Sequence, residues 1–556
     1  MNALLCAVNS KYVHSSLAVW YLAAGVKEYA PEVSIKVIEA TINEEIERIY
    51  QKILENNFDI IGFSTYIWNV DYVLKIAMHI KEKTNAKIVL GGPEVSYNSS
   101  EILKKYCFID YVIKGEGERA FAMLCRNDNV EEIDNLCYRN GKTIVTNKIS
   151  TLRYDPPTPY TQEYFEALNG RIAYIETSRG CPYKCAFCLS GSCEGVRFFN
   201  IDTAKENIVK LANSGVQTVK FIDRTFNADR KRAIEIFSFI IDNYGKKVPP
   251  SVCFHFEMEG ELIDDATVKV LEKAPIGLFQ FEIGIQSFNS KTLDSINRKC
   301  NIDKLCEKIK RIIDLGNIHV HTDLIIGLPY EDMASFEKSF NAAYELNAQM
   351  LQIGFLKLLH GAGLEMNKDN YGLVCSERPP YEILANPWLS FEDIERLHLL
   401  EDVFEKAYNS GKLERTCKYL VSLVESPFQM YLKLGELWNK AKKSNSLDEF
   451  TKFLFDASVE IFGADREVLR DKMALDRLST NKNGSLPEFL KIHSSLIKQT
   501  LVELDKDPLT RRKKGVKRSA TVLAKEPKFV YVDYVNQNKV KKQFEIHEKI
   551  IKKDEN

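Results

Sequence analysis

Short apolar runs alternate along this chain with longer stretches whose apolar residues recur every three or four positions. In the first third the runs 3–8, 33–39, 60–64, 87–90 and 111–114 read as strands, and 17–29, 43–56 and 70–84 read as helices. That order predicts βαβ units on a parallel sheet, a Rossmann-like doubly wound α/β domain. A Pro-rich linker at 155–159 follows, and strands and helices then alternate again. Candidate strands lie at 173–177, 218–222, 252–256, 278–283, 319–326 and 352–358. From Tyr381 onward the spacing turns helical, notably over 390–410 and 448–462, with Pro387, Ser390 and Glu392 marking a helix entrance. The run 528–534 alternates like a strand, and 536–538 reads as a turn before 539–546. A small helical domain closed by a hairpin is expected there. Four segments result: 1–145, a linker at 146–166, 167–380, and a mainly helical 381–556.

Composition narrows the field. The chain has 556 residues, 45% hydrophobic and 28% charged, with a formal net charge of −1. Length leaves room for about three domains. The charge balance favours neither nucleic acid nor an acidic membrane surface. The opening segment is too short in apolar residues for a secretory signal, and no run approaches a spanning helix. Thirteen cysteines without an export signal read as reduced, cytoplasmic thiols.

In a parallel sheet, ligands meet the carboxyl ends of the strands. In the first domain those ends carry Ser64-Thr65, Gly91-Gly92-Pro93-Glu94 and Gly115-Glu116. Bare glycine backbone there could lie against a flat ligand, although glycines at strand ends also make ordinary turns. In the second region the ends carry Asp223, Glu257 with Glu259, Gln286-Ser287, Gly327, and Lys357 with His360. Just beyond the first of these strands come Cys181, Cys185 and Cys188, in ETSRGCPYKCAFC. Thiolates at such spacing suit zinc or an iron–sulfur cluster. Zinc would ask for a fourth ligand, for which Cys193 is a candidate. A 4Fe–4S cube on three thiolates leaves one iron open.

The cysteine run, with Pro182 and Phe187 around it, resembles the signature of the radical S-adenosylmethionine (SAM) enzymes. The later strand ends resemble that family's motifs in the same order. The resemblance implies an incomplete (β/α)6 barrel and a 4Fe–4S cluster on Cys181, Cys185 and Cys188. It also implies SAM held near Phe187, Asp223, Glu257, Gln286, Ser287 and Gly327. Reduction of SAM on the open iron would yield a 5′-deoxyadenosyl radical that takes hydrogen from an unreactive carbon. The first domain resembles the cobalamin-binding domain that precedes many such barrels. That implies a corrinoid among Ser64, Thr65, Gly91, Gly92, Glu94, Gly115 and Glu116. The methionine-synthase type of this domain has an Asp-x-His-x-x-Gly loop that ligates cobalt. Here the loop reads NSKYVHSS, so cobalamin without a protein ligand is expected, with His14 bonding at the helix start beside Ser15 and Ser16.

The tail is similar to a domain of unknown function appended to one subgroup of these proteins. Its basic run 511–518 lacks interleaved aromatics and reads as a solvated loop. The implied activity is cobalamin-dependent C-methylation of a small molecule or peptide, with a flavodoxin- or ferredoxin-type donor. Alternatives are cobalamin-dependent cyclisation, ring contraction or redox chemistry, and a non-catalytic corrinoid sensor with a structural metal.

Overall fold

The computed structural model describes residues 1–441, 446–482, 485–526 and 528–550. It divides into two units. One comprises Met1–Lys273, Asp294–Lys299 and Leu356–Leu384; the other comprises Ala274–Leu293, Cys300–Phe355 and Ala385–Asn556.

The first unit begins with β1 (Asn2–Asn9), β2 (Ser34–Thr41), β3 (Ile60–Ser64), β4 (Lys87–Gly91) and β5 (Tyr111–Ile113), all parallel. Helices Leu17–Tyr29 and Val70–Lys83 stand where the periodicity predicts helices. The sheet order is β2-β1-β3-β4-β5, and two antiparallel strands, β6 (Leu136–Asn140) and β7 (Thr143–Thr146), extend it. β1 and β3 are buried almost throughout, as a sheet covered on both faces requires. Leu4, Cys6, Ile61, Phe63 and Leu90 pack with Ile76 and Ile80 in one apolar cluster. This core holds the strand ends on one side at fixed height.

Three further parallel strands follow in this unit: β8 (Ala173–Ile175), β11 (Thr218–Phe221) and β12 (Cys253–Met258). Between β8 and β11 runs an antiparallel ribbon of β9 (Ser178–Cys181) and β10 (Gly195–Phe198), in register Cys181↔Gly195. Phe221, Phe226, Phe237 and Phe256 pack ring to ring behind β11 and β12.

The second unit holds β13 (Phe279–Gln286), β14 (His319–Ile326) and β15 (Met350–Phe355), again parallel, with helices Ile302–Asp314 and Met333–Glu345. Its remaining described residues are mainly helical, from Phe391–Phe404 through Arg466–Thr480 and Ser494–Lys506. The expected final hairpin is rearranged. Lys528–Asp533 pairs with the earlier strand Arg518–Val522 on one edge and with His547–Ile550 on the other. Residues 539–546 instead make a turn and one isolated bridge, Gln537↔Phe544. The basic run is not all solvated either. Arg518 pairs with Asp533 at 2.7 Å and Asp505 at 3.4 Å and lies over the Tyr531 ring. Among the described residues no helix is long and apolar enough to cross a membrane.

Candidate cofactor site

The three cysteines lie at the foot of the β9–β10 ribbon and in the loop it closes. Gly180 makes that closure possible. Its φ is +101°, and a Cβ there would stand 2.1 Å from the Gly195 carbonyl oxygen. Further along, Ala186 N donates to Ile296 O at 2.8 Å, its carbonyl accepts from Leu364 N at 2.7 Å, and Asn297 Nδ2 donates to Lys184 O at 2.9 Å. The loop backbone is therefore fixed from both sides. Cys181 and Cys185 are buried and Cys188 is half-buried. Burial lifts the Cys185 thiol above its ordinary range, the Arg298 guanidinium works against that, and the Cys188 and Cys181 thiols are near enough to add to it. Cys193 ends the short turn Leu189–Ser192 and lies near Cys181 and Cys188 as well. Among the described residues no three His, Cys, Asp or Glu side chains gather to hold a single metal ion. A cube offers each thiolate a separate iron, so three soft donors on one closed loop fit a cluster.

Asp223, at the mouth of β11, does not face outward as the motif implies. It accepts from Thr177 N at 3.0 Å, Thr177 Oγ1 at 2.7 Å and Ser178 Oγ at 2.6 Å, and is 1% exposed. Its role is to tie β11 to the segment leading into the cysteine loop. Burial raises its pKa, and those hydrogen bonds oppose the rise. Glu259 is likewise engaged, with Arg298 Nη2 at 3.2 Å. Glu257 lies 3.9 Å from Lys220 Nζ and borders a cavity. Phe187 is half-buried beside Cys188.

That cavity, about 750 Å³, sits over the carboxyl ends of β1, β3, β4 and β5 and reaches β8 and β12. Ser64, Gly91, Gly92, Gly115 and Glu116 line it. Gly92 has φ +111°, and a Cβ there would meet the Thr65 carbonyl oxygen at 2.4 Å. Thr65 and Glu94 do not line the cavity. Thr65 is fully buried and donates to Gly91 O at 2.6 Å, because adjacent strand residues point to opposite faces. Glu94 accepts from the Tyr381 hydroxyl, and burial raises its pKa.

Several lining groups escaped the sequence reading. Ser16 Oγ, Ser64 Oγ and Glu118 Oε2 are buried without a hydrogen-bond partner, and all three residues face the cavity. Buried polar atoms in that state are normally satisfied by something else. Their presence at a roomy, partly polar cavity fits a corrinoid, whose amide and hydroxyl groups could pair with them. Glu176, on the same wall, takes Arg179 Nε at 2.9 Å, and Arg179 also reaches Glu118 at 2.6 Å and Glu116 at 3.4 Å. Burial pushes Glu176 up to about 7 despite Arg179. His14 does not bond at the helix start; its Nδ1 meets the Tyr174 hydroxyl at 2.7 Å, and burial lowers its pKa. Ser15 donates to Ile172 O and leaves the helix terminus uncapped by a side chain. The rule that strand ends bear ligands, applied to β1, points toward Ser16.

The second unit is described by itself. Gln286 sits at a break in the β13–β14 register with φ +74°, folded over Gly284. Ser287 does not present its hydroxyl outward. It is fully buried and donates to Glu331 Oε1 at 2.6 Å, as Ser339 does at 2.8 Å. Burial pushes Glu331 up to about 7. The Gly327 carbonyl accepts from Asn386 Nδ2 at 3.0 Å.

Comparison with known proteins agrees with this architecture. Residues 4–124 match the B12 binding domain, 175–343 the radical SAM superfamily, and 369–552 the protein of unknown function DUF4080. The chain is 28% identical, over 57% of its length and 49% of the relative's, to the cobalamin-dependent radical SAM methyltransferase TokK of Streptomyces tokunonensis. It is 26% identical, over 52% of its length and 45% of the relative's, to a 2-(S-pantetheinyl)-carbapenam-3-carboxylate methyltransferase of Streptantibioticus cattleyicolor. It thus spans about half the length of these two relatives. The solved structure of the cobalamin-dependent SAM radical enzyme OxsB with aqua-cobalamin bound shares the fold, at a TM-score of 0.61 and 14% identity over 92% of this chain and 82% of that one. With a B12-binding domain, a radical SAM domain on a parallel sheet and a DUF4080 region following in order, the chain belongs to the cobalamin-binding radical SAM proteins.

Proposed function

We propose that this protein is a cobalamin-dependent radical SAM enzyme that methylates an unactivated carbon of a small molecule or peptide. Cys181, Cys185 and Cys188 would hold a 4Fe–4S cluster, with Glu257 toward SAM. Ser16, Ser64, Gly91, Gly92, Gly115, Glu116 and Glu118 would hold the corrinoid. The segment assignment 1–145 for the corrinoid domain, 167–380 for the barrel and 381–556 for the tail belongs to the same reading. Bound together, these cofactors supply reductive cleavage of SAM and delivery of a methyl group, given electrons from a low-potential donor. The chain's own task is to bind, orient and keep water out. The β9–β10 ribbon holds the thiols on one fixed loop. Asp223 keeps that loop registered against β11 from inside the protein. Arg179 joins the cavity wall to the strand that carries Cys181.

The observation that carries the reading is the closed three-cysteine loop in the same unit as a cavity lined by Ser64, Gly92 and Glu257. Anaerobic reconstitution with iron, sulfide and cobalamin, followed by product analysis with SAM, tests it. Methylation consumes two SAM molecules, giving S-adenosylhomocysteine together with 5′-deoxyadenosine. Deoxyadenosine without homocysteine product would remove the methyl-transfer part and leave cyclisation or redox chemistry. A bound zinc and no SAM cleavage would remove the whole reading.

A further inference from the structure

We propose that Arg224 selects a substrate bearing an oxyanion, a carboxylate or phosphate group, which its guanidinium grips at the cavity wall. This rests on the reading of that cavity as part of the reaction site, and it names the class of substrate the site takes. Arg224 lies in the turn that leaves β11. Phe221, Asp223, Thr225, Phe226 and Asn227 are buried there and Ile222 is half-buried, whereas Arg224 is exposed and lines the cavity. Both of its neighbours are engaged inside the protein. The Asp223 carboxylate accepts from Thr177 and Ser178, and Thr225 Oγ1 stands 3.3 Å from Cys181 Sγ. Beyond them, Ala228 N donates to Thr225 O at 3.0 Å, and Asn227 Oδ1 accepts from Glu259 N at 2.9 Å. The turn is braced on both sides of one charged side chain, one residue away from the contact with Cys181.

The other charges on the wall are matched. Glu116 pairs with Arg197 at 2.7 Å, Glu118 and Glu176 pair with Arg179 at 2.6 and 2.9 Å, and Glu257 lies 3.9 Å from Lys220. Among the described residues Arg224 has neither an ion pair nor a hydrogen bond. Its charge is felt on two sides. Burial raises the pKa of the Tyr66 hydroxyl, on the cavity wall, and of the Cys193 thiol, near the cysteine loop, and the guanidinium opposes both rises. A guanidinium presents a flat fork of donors that fits two oxygens of a carboxylate or phosphate at once, and it stays charged at any working pH. A neutral group in its place would leave that charge unmatched, so binding favours the anion. Arg224 orients substrate and touches no reacting atom, which makes it a specificity residue.

The test uses the full chain, reconstituted anaerobically with cluster and hydroxocobalamin, and two probes of one shape, para-fluorobenzoate and para-fluorobenzamide, followed by fluorine NMR. The loaded parent should bind the anion about tenfold more tightly than the amide. Arg224→Gln should erase that preference, and Arg224→Lys, which keeps the charge and loses the fork, should keep part of it. If Arg224→Gln fails to fold, Arg224→Lys decides, by a preference smaller than the parent's. A loaded parent without the preference, or an Arg224→Gln variant that retains it, overturns the proposal. The corrinoid phosphodiester and the SAM carboxylate share this chemistry. Equilibrium dialysis of Arg224→Gln against hydroxocobalamin and against SAM separates them: an affinity loss of about tenfold toward either assigns the guanidinium to that cofactor and overturns the substrate role. A parent that takes up neither cluster nor corrinoid overturns instead the functional reading on which the proposal stands.

Discussion

Around the cysteine loop the buried carboxylates are engaged inside the protein: Asp223 accepts three hydrogen bonds, and Glu259 holds Arg298. At the strand ends facing the cavity the situation is reversed, with Ser16, Ser64 and Glu118 each keeping a buried polar atom without a partner. Both regions rest on close backbone approaches that only glycine permits, Gly180 in one and Gly92 in the other. The difference teaches where each keeps its specificity. The loop is braced by hydrogen bonds to its backbone on both sides and contributes three thiols. The cavity keeps buried polar atoms for which a bound molecule would be the natural partner.

The harshest way to break this contrast is Gly180→Ala. At φ +101°, with the Gly195 oxygen 2.1 Å from the new Cβ, the ribbon must open. The local strain is about 1–3 kcal/mol. The larger consequence is that Cys181 and the loop lose their common base. Iron per chain after anaerobic reconstitution should fall to near zero, while corrinoid binding, measured by its visible absorption, should change little. Full iron loading in this variant would mean that the ribbon does not frame the site.

Next comes Asp223→Ala, which leaves the amide of Thr177 and two hydroxyls unpaired in a dry interior. Destabilisation of about 3 kcal/mol is expected in urea unfolding. Because Asp223 is turned inward, SAM affinity should fall only as far as cluster loading falls. A variant of native stability whose SAM binding alone is lost would restore the outward-facing role that the motif suggests.

The wall between the two regions carries Glu176, and it gives a pH test. Burial pushes its pKa up to about 7, from an ordinary glutamate value of 4.5. Between those values the folded protein keeps a proton that the unfolded chain releases, so stability falls as pH rises through that window and is level above it. The slope from one group is at most about 1.4 kcal/mol per pH unit. Glu176→Gln should flatten that part of the curve in denaturant titrations taken at pH 5, 6 and 7. An unchanged slope would show that Arg179 keeps the carboxylate ionised.

Much of this could be read from residues alone, and the misses have physical causes. Strand β14 falls on the alternating run 319–326, and helix Leu17–Tyr29 on its apolar period, because both bury a regular face. The ribbon β9–β10 is not legible in the sequence: SRGC and GVRF have four residues each and neither alternates between buried and exposed positions. The β6–β7 hairpin was missed although Asn140-Gly141 marks its turn. Of the adjacent pair Ser64-Thr65, strand geometry lets only one side chain face the cavity, a point that sequence could have settled. Asp223 and Ser287 could not be settled that way. A polar residue at a strand mouth looks the same whether it meets a ligand or a neighbouring hydroxyl, and only the paths of Thr177-Ser178 and Glu331 decide.

The smallest effect separates the two regions most cleanly, because its sign differs between free and loaded protein. Ser64 Oγ is buried, faces the cavity and has no partner. Removing an unpaired buried hydroxyl relieves a desolvation cost, so Ser64→Ala should leave the cofactor-free protein equal in stability or up to about 1 kcal/mol firmer. If the hydroxyl pairs with the corrinoid, the same change should weaken cobalamin binding about tenfold, or about 1.4 kcal/mol. Urea midpoints with and without hydroxocobalamin would then diverge between parent and variant. Thr65→Ala serves as the internal contrast: it removes the bond to Gly91 O and should destabilise both forms alike. Equal losses from Ser64→Ala in the free and loaded proteins would place its hydroxyl among the structural groups, like those of the cysteine loop.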